Sequence, residues 1–579
     1  MNPAKRRRIE EDQQVSADDT DKKIDLINSL DNDSLAQIFM LLPISERITM
    51  DQVCSKWKEA CQLAWYDIKK YKCTNAIVRS YEKCILTQSY VEKVLFYCGV
   101  YLKELILSKI CDSSIMPVVA KYCKNLTTLE FEIIRFCSSD TSYFVQAFTQ
   151  LKQLKILKIH IFGEKIYFQI LNNLSKDIEE IHLYFTLAFI SGSGINSEQF
   201  LEILNANDEN PVSPSLFSLR EFTNLRSLTI RCQNITDIIQ EISKKTTLVY
   251  LDLQQCHTEN EIFTFNQLSN LEHLNIKDVY FWDSCFEKRL IPNPISDIFN
   301  TCKKLKHLDA PDFDVDLAEI KMENWVNLRN LVYIYIRWQA SNAIIKKIIK
   351  YCNNLEFINI DELNSESIIE LTKLENLNHL DFEMTNIDNE VMVAILNNCK
   401  KLKHLVIYGS RVEASLFDDL SNLLYIENLN LEFSKKLGDS AMIAIAANCK
   451  LVKCLNIENC QSITSTGYTA LTSLKNLKEL NVKLSKNVED NFIVKLKGIK
   501  ILNCSHCNQL TDAGVIHFIE NNPDLEYLNI GHIRNITTKT ITAADEASKN
   551  RTNDTFLSIK TYKRVLQKAL IKCQWLTYG

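Results

Sequence analysis

The sequence predicts an α/β chain in which a short all-helical unit precedes a right-handed solenoid of strand-and-helix repeats built on a curved parallel sheet. Three observations predict it. A six-residue pattern, Leu-x-x-Leu-x-Leu, recurs seventeen times between residues 102 and 530. Ahead of it, apolar residues fall at helical spacing and not at alternating spacing. Only 11 glycines and 9 prolines occur in 579 residues, too few for a turn-rich β-sandwich or for phosphate-cradling loops.

The elements follow in chain order. Residues 1–22 are polar, with the basic cluster Lys5 to Arg8 followed by an acidic run, and predict a disordered tail whose cations resemble a short nuclear-import signal. In residues 23–70, Leu35, Ile38, Phe39 and Leu42 lie at i, i+3, i+4 and i+7, one face of a helix that Pro43 ends. A short turn through Ile48 and a second stripe through Val53, Trp57, Ala60, Cys61 and Ala64 complete three small helices. A unit this small needs a partner surface or a neighbouring domain to cover its apolar side chains.

Residues 71–555 hold the repeats. Copies such as Leu102-Leu105-Leu107, Leu225-Leu228-Ile230 and Leu477-Leu480-Val482 have first positions mostly 22 to 28 residues apart, the period of a leucine-rich repeat. The second and third apolar positions place one face of a short strand in the core, and the other half of the unit covers it with a helix. Parallel strands about 4.8 Å apart then give an inner arc of about 80 Å. Insertions near 184–224 and 277–300 break the rhythm. The first has room for a degenerate repeat. The second, with Tyr280-Phe281-Trp282, reads as a loop packed on the solenoid flank, with ligand contact as the alternative. Residues 556–579 carry an apolar stripe and read as a C-terminal cap or tail.

Composition narrows the function. Hydrophobic residues make up 46% and charged residues 24%, and 67 basic against 72 acidic residues leave a net charge of −5. That balance argues against a nucleic-acid coat or a membrane-surface role. Twenty cysteines are too sparse for a disulfide scaffold, and no apolar stretch follows the N-terminal charges, so reduced thiols in the cytoplasm or nucleus are expected.

The residues between the apolar strand positions form columns on the concave face. Tyr250, His273, His307, Tyr333, Phe357, His379 and His404 make the first column, candidate ring anchors for a partner. The second contains Asp252, Asn275, Asp309, Tyr335, Asn359 and Asp381, and continues as Asn430, Asn456, Asn481, Asn503 and Asn529. With Glu383, Glu432 and Glu458 nearby, this face leans acidic and suits a basic substrate. His307-x-Asp309 and His379-x-Asp381 have the spacing of an iron triad, and Cys504, His506 and Cys507 that of a partial zinc cluster, but repeat positions explain both sets. No metal, cofactor or catalytic residue is expected.

Taken together, these motifs resemble the F-box proteins with leucine-rich repeats, of the cysteine-containing class. Leu30, Asp33, Leu35, Ile38-Phe39, Leu42, Ile48, Val53-Cys54-Ser55-Lys56-Trp57 and Trp65 follow the F-box pattern, with Asp31 where the family usually has proline. Cysteine stands three residues before the repeat at Cys123, Cys302, Cys352, Cys399 and Cys449. A Cys-x-x-Ile/Leu-Thr-Asp element appears at Cys232–Asp237 and Cys507–Asp512. The resemblance implies that Leu30, Leu35, Ile38, Phe39, Leu42, Ile48, Val53, Cys54, Trp57 and Trp65 bind the S-phase kinase-associated adaptor of a cullin-RING (SCF) ubiquitin ligase, while the solenoid holds a protein substrate. Chemistry would then occur on other subunits. A ligase-independent scaffold is the alternative reading.

Overall fold

The computed structural model describes residues 26–73, 87–133, 140–162, 168–186, 218–231, 234–236, 238–258, 264–282, 288–289, 295–315, 322–338, 342–359, 364–549, 551, 557–561 and 576–578. The expected tail at 1–22, residues 187–217 within the first insertion and most of the C-terminal segment lie outside them.

The N-terminal unit packs helices Asn32–Met40, Ile44–Met50 and Ser55–Leu63. Asp31 starts the first by accepting hydrogen bonds from the Ser34 amide at 2.8 Å and the Ser34 hydroxyl at 2.9 Å, so a side chain does the capping at the family's proline position. Leu35, Ala36 and Phe39 bury against Ala60, Cys61 and Ala64, with Trp57 edged onto Phe39 at 5.2 Å. The alanines permit this approach because the helices have no larger side chains to separate them. Arg47 is the polar hub. Its buried guanidinium pairs with Asp67 at 2.7 Å and donates to the Ala64 and Leu42 carbonyls, satisfying ends of two helices with one side chain.

Strand Lys70–Lys72 follows at once and opens the main sheet. Among the described residues that sheet has 20 strands, each paired in parallel with the next in sequence, from Lys70–Lys72 through to Leu576–Tyr578. All seventeen repeat strands form, with their second-position apolar residues in register, as in Leu455 opposite Leu480 and Leu480 opposite Leu502. Three further strands lack the full pattern: Lys70–Lys72 before it, and Leu557–Lys560 and Leu576–Tyr578 after it. The C-terminal segment therefore extends the sheet, because Leu557 and Ile559 supply the alternate buried positions that a strand requires.

Glu180–Thr186 pairs directly with Ser227–Ile230, so among the described residues no strand stands between these two repeats. His273–Asn275 likewise pairs directly with His307–Val315 across the second insertion. Part of that insertion forms a side sheet, with Tyr280–Trp282 parallel to His257–Thr258 and antiparallel to Lys288–Arg289. Residues 283–287 and 290–294 lie outside the described residues.

Cysteines close the repeats. Cys123, Cys399 and Cys449 end helices, and the thiols of Cys399 and Cys449 face carbonyls of the preceding repeat at 3.6 to 3.8 Å. Threonines tie one repeat to the last: Thr511 binds Asp490 through its amide and hydroxyl at 2.9 and 2.6 Å, and Thr537 binds Asp512 in the same way. Gly514 sits where a side chain would collide with Asp490, and Gly467 where one would collide with Asp439, which binds the Thr464 amide and hydroxyl in the same way. Of the Cys232–Asp237 element, Cys232, Gln233 and Asp237 lie outside the described residues.

Candidate partner-binding surfaces

The expected adaptor residues separate into two groups. Leu35, Phe39, Ile48 and Trp65 are buried. Ile48 and Trp65 belong to the solenoid's own core cluster, and Trp65 stacks on Tyr97 at 5.3 Å while Tyr97 donates to Asp51 at 2.8 Å. These four hold the helical unit together and seat it on the first repeats. Ile38, Val53 and Cys54 are exposed, and Leu30, Leu42 and Trp57 are half-buried. Leu41, at 85% the most exposed large apolar side chain described, was missed. Its signal was available: it is a large apolar residue standing off the helical stripe, one turn after Ile38 and just before Pro43.

On the solenoid, helices cover one side of the sheet. Strands at about 4.8 Å and helices needing about 10 Å bend it so that the open side is concave. There the first column forms a row of seven rings in contact, stacked except where Phe357 meets His379 at an interplanar angle of 50°. Tyr250, His273, His307, Tyr333 and Phe357 follow one another at 4.1, 4.0, 3.8 and 3.9 Å with interplanar angles of 19° or less. Phe357 meets His379 at 4.2 Å, and His379 meets His404 at 4.8 Å. The spacing is that of the strands themselves, so in-register rings are close enough to cover each other's faces.

Stacking desolvates the imidazoles. Burial pulls His273 and His379 down to about 4 and His307 to about 3, and lowers His404 as well. At neutral pH the imidazoles of the stack are uncharged. Burial, and after it the charges of the half-buried Asp309 and Asp381, push the Tyr333 phenol up. Tyr335 stands in the second column, with the Lys277 ammonium 5.6 Å from its ring centre. At the other end, Asp252 is buried and paired with Arg231.

Beyond His404 the face changes character. The Asn428 amide donates to the His404 ring at 2.5 Å. Asn430, Asn456, Asn481, Asn503 and Asn529 then turn their side-chain oxygens back to accept the amide two residues on, at 3.0 to 3.3 Å. The residue after that amide adopts a left-handed backbone: Phe433, Asn459, Leu484, His506 and His532 have φ between 57° and 64°. The asparagines are thus turn formers. Glu432 and Glu458, read as bare acidic groups, receive the Asn456 and Asn481 amides, and Glu458 also pairs with Lys483. The side chain of Glu383 lies outside the described residues. A groove of about 360 Å³ runs over this region from His379 to Tyr527, with Glu479 its one charged lining residue among those described.

The metal spacings have local explanations. Cys504 is buried directly after strand Ile501–Asn503, the Cys507 thiol donates to the Val482 carbonyl at 3.2 Å, and His506 stacks on His532 at 4.3 Å.

Fold and faces define a leucine-rich α/β solenoid carrying a helical unit at its first strand. No family model matches the chain. It is 26% identical over 181 residues to F-box/LRR-repeat protein 4 of Bos taurus, covering 29% of this chain and 28% of that protein. It is 28% identical over 202 residues to the F-box/TPR repeat protein pof3 of Schizosaccharomyces pombe, covering 32% and 34%. The chain thus spans about a third of the length of these curated relatives. Among solved structures it is similar to an internalin of Listeria monocytogenes, at 14% identity and a TM-score of 0.26, covering 62% of this chain and 77% of that one. The relatives are F-box repeat proteins, in agreement with the resemblance read from the sequence to F-box proteins with leucine-rich repeats.

Proposed function

We propose that this chain is the substrate receptor of an SCF-type cullin-RING ubiquitin ligase. Its helical unit docks the S-phase kinase-associated adaptor, and through it the cullin and RING subunits; its concave face holds a protein substrate. The observation that carries the reading is the division of the helical unit: Ile48 and Trp65 face the solenoid, whereas Ile38, Leu41 and Val53 remain exposed. A fold that has already buried one side of so small a unit leaves large apolar groups in water only at a cost, and such groups mark contact sites. On this reading the chain supplies no nucleophile. It contributes proximity, raising the concentration of substrate lysines near the charged conjugating enzyme. The relatives' F-box names support the reading, and it assigns the protein to the cytoplasm or nucleus.

Affinity purification from cells tests it. An Ile38→Asp, Leu41→Asp variant keeps the buried core and is expected to lose adaptor and cullin while keeping the solenoid's partners. Loss of a central apolar anchor costs about 2 kcal/mol or more, roughly 30-fold in affinity. Equal adaptor recovery by wild type and variant would overturn the proposal.

A further inference from the structure

We propose that the groove between His404 and Tyr527 takes an extended segment of a protein partner and seats one lysine or arginine of it on Glu479. The inference rests on the receptor reading above and names the class of segment that the concave face holds. The groove exists because the first column changes size. From His404 onward the in-register positions are Asn428, Cys454, Glu479, Ile501 and Tyr527. Asn428 and Cys454 are too small to continue the row of rings. The surface therefore drops to a floor that includes Leu429 and Leu455, with His404 towards one end and Tyr527 at the other. Five strand steps of about 4.8 Å make this stretch about 24 Å long, the span of about seven extended residues.

Charge selects the occupant. Among the described residues Glu479 is the groove's one charged lining group, and its side chain is exposed. The lysines of the adjoining strands have other partners. Lys453 pairs with Glu427 at 2.5 Å, Lys500 with Glu526 at 2.6 Å and Lys483 with Glu458 at 2.7 Å, while the Lys478 ammonium donates to the Gly498 carbonyl at 3.3 Å. Lys403 stands at the His404 end, three strands from Glu479. The amides of Asn456 and Asn481 go to Glu432 and Glu458. Glu479 is thus a carboxylate with no ion-pair partner among the described residues, set in a trough that supplies no cation of its own. Its strand neighbours are Cys454 and Ile501. Cys454 is half-buried and keeps its proton, because burial, and after it the Glu479 charge, push the thiol up to about 11. A neutral thiol and an isoleucine make an apolar bed for the methylene stem of lysine or arginine, whose charged end then meets the carboxylate. An acidic side chain in the same place would meet like charge with nothing to offset it.

The test selects a random dodecapeptide library displayed on phage against the purified full chain, then measures the enriched peptides by fluorescence anisotropy. The expected motif is one lysine or arginine among apolar residues. Replacing that residue with norleucine, or making Glu479→Lys in the chain, should weaken binding more than tenfold, with Glu479→Gln in between. Glu520→Lys changes the net charge equally at an exposed position of helix Asp512–Asn521 and should leave binding unchanged. Wild-type circular dichroism spectra show that the variants keep the fold. Failure to enrich a basic motif, or equal binding by wild type and Glu479→Lys, would overturn the proposal. Adaptor recovery is scored separately. Basic peptides bound through Glu479 by a chain that recovers no adaptor would overturn the receptor reading and keep the groove's specificity, whereas adaptor recovery without a basic motif would overturn the groove alone.

Discussion

The stretch of concave face from Tyr250 to His404 and the stretch from Asn430 to Asn529 share one backbone plan, yet they use it differently. In the first, side chains of the first column stack across strands. In the second, that stack has ended, and side chains of the next column turn back to fasten the chain that follows their own strand, as Asp252 and Asn275 already do in the first. Projection from the open face thus does not make a residue available to a partner. What matters is whether the local turn has already claimed its hydrogen-bonding atoms.

Acid should separate the two stretches most strongly. An imidazole whose folded pKa lies below its ordinary 6.5 binds fewer protons when folded, so stability falls as pH drops from about 6.5 towards 4 and levels off below the folded values. Hydrogen exchange at pH 7 and pH 5 should show opening concentrated between Tyr250 and His404, and a His273→Phe, His307→Phe, His379→Phe variant should lose most of that pH slope. Uniform opening along the solenoid would break the comparison.

Single truncations come next in size. Asn456→Ala strands the Glu458 amide in the turn and is expected to cost about 1–3 kcal/mol in denaturant unfolding, with substrate capture unchanged. Tyr333→Ala removes the middle ring of the stack. Its stacking loss is about 0.5–1.5 kcal/mol, and capture of solenoid partners should fall by more than tenfold. Capture that follows the asparagine variant instead would reverse the assignment.

Smallest of all is the contribution of the lysine and glutamate pairs along the sheet margin, which occur in both stretches as Lys306 with Glu272 and Lys453 with Glu427. Both are largely solvated, so Lys306→Gln and Lys453→Gln should each shift stability by under about 1 kcal/mol, and equally. A large difference between them would point to an unequal environment at the margin.

Much of this was legible in the residues. Seventeen repeats fixed the strands and their order, since a leucine at the second position can be buried only in one register. The three unpatterned strands were not legible, because Tyr71 and Cys73 do not spell the repeat although they fill its core. In the helical unit the stripe Leu35, Ile38, Phe39 and Leu42 was visible, but periodicity cannot tell a side chain facing its own core from one facing a partner.

Sequence alone determined the repeat period, the helical unit before it, the alternation of buried and outward strand positions and the alignment of rings into a column. Each follows from local spacing, which the chain carries wherever it is folded. Only the tertiary structure decided that Phe39 is core while Leu41 is exposed, that Arg47 joins two helix ends to Asp67, and that the asparagines serve their turns while the rings stay outward. Those outcomes depend on which atoms of distant residues come within bonding reach, and that distance is set by packing between repeats.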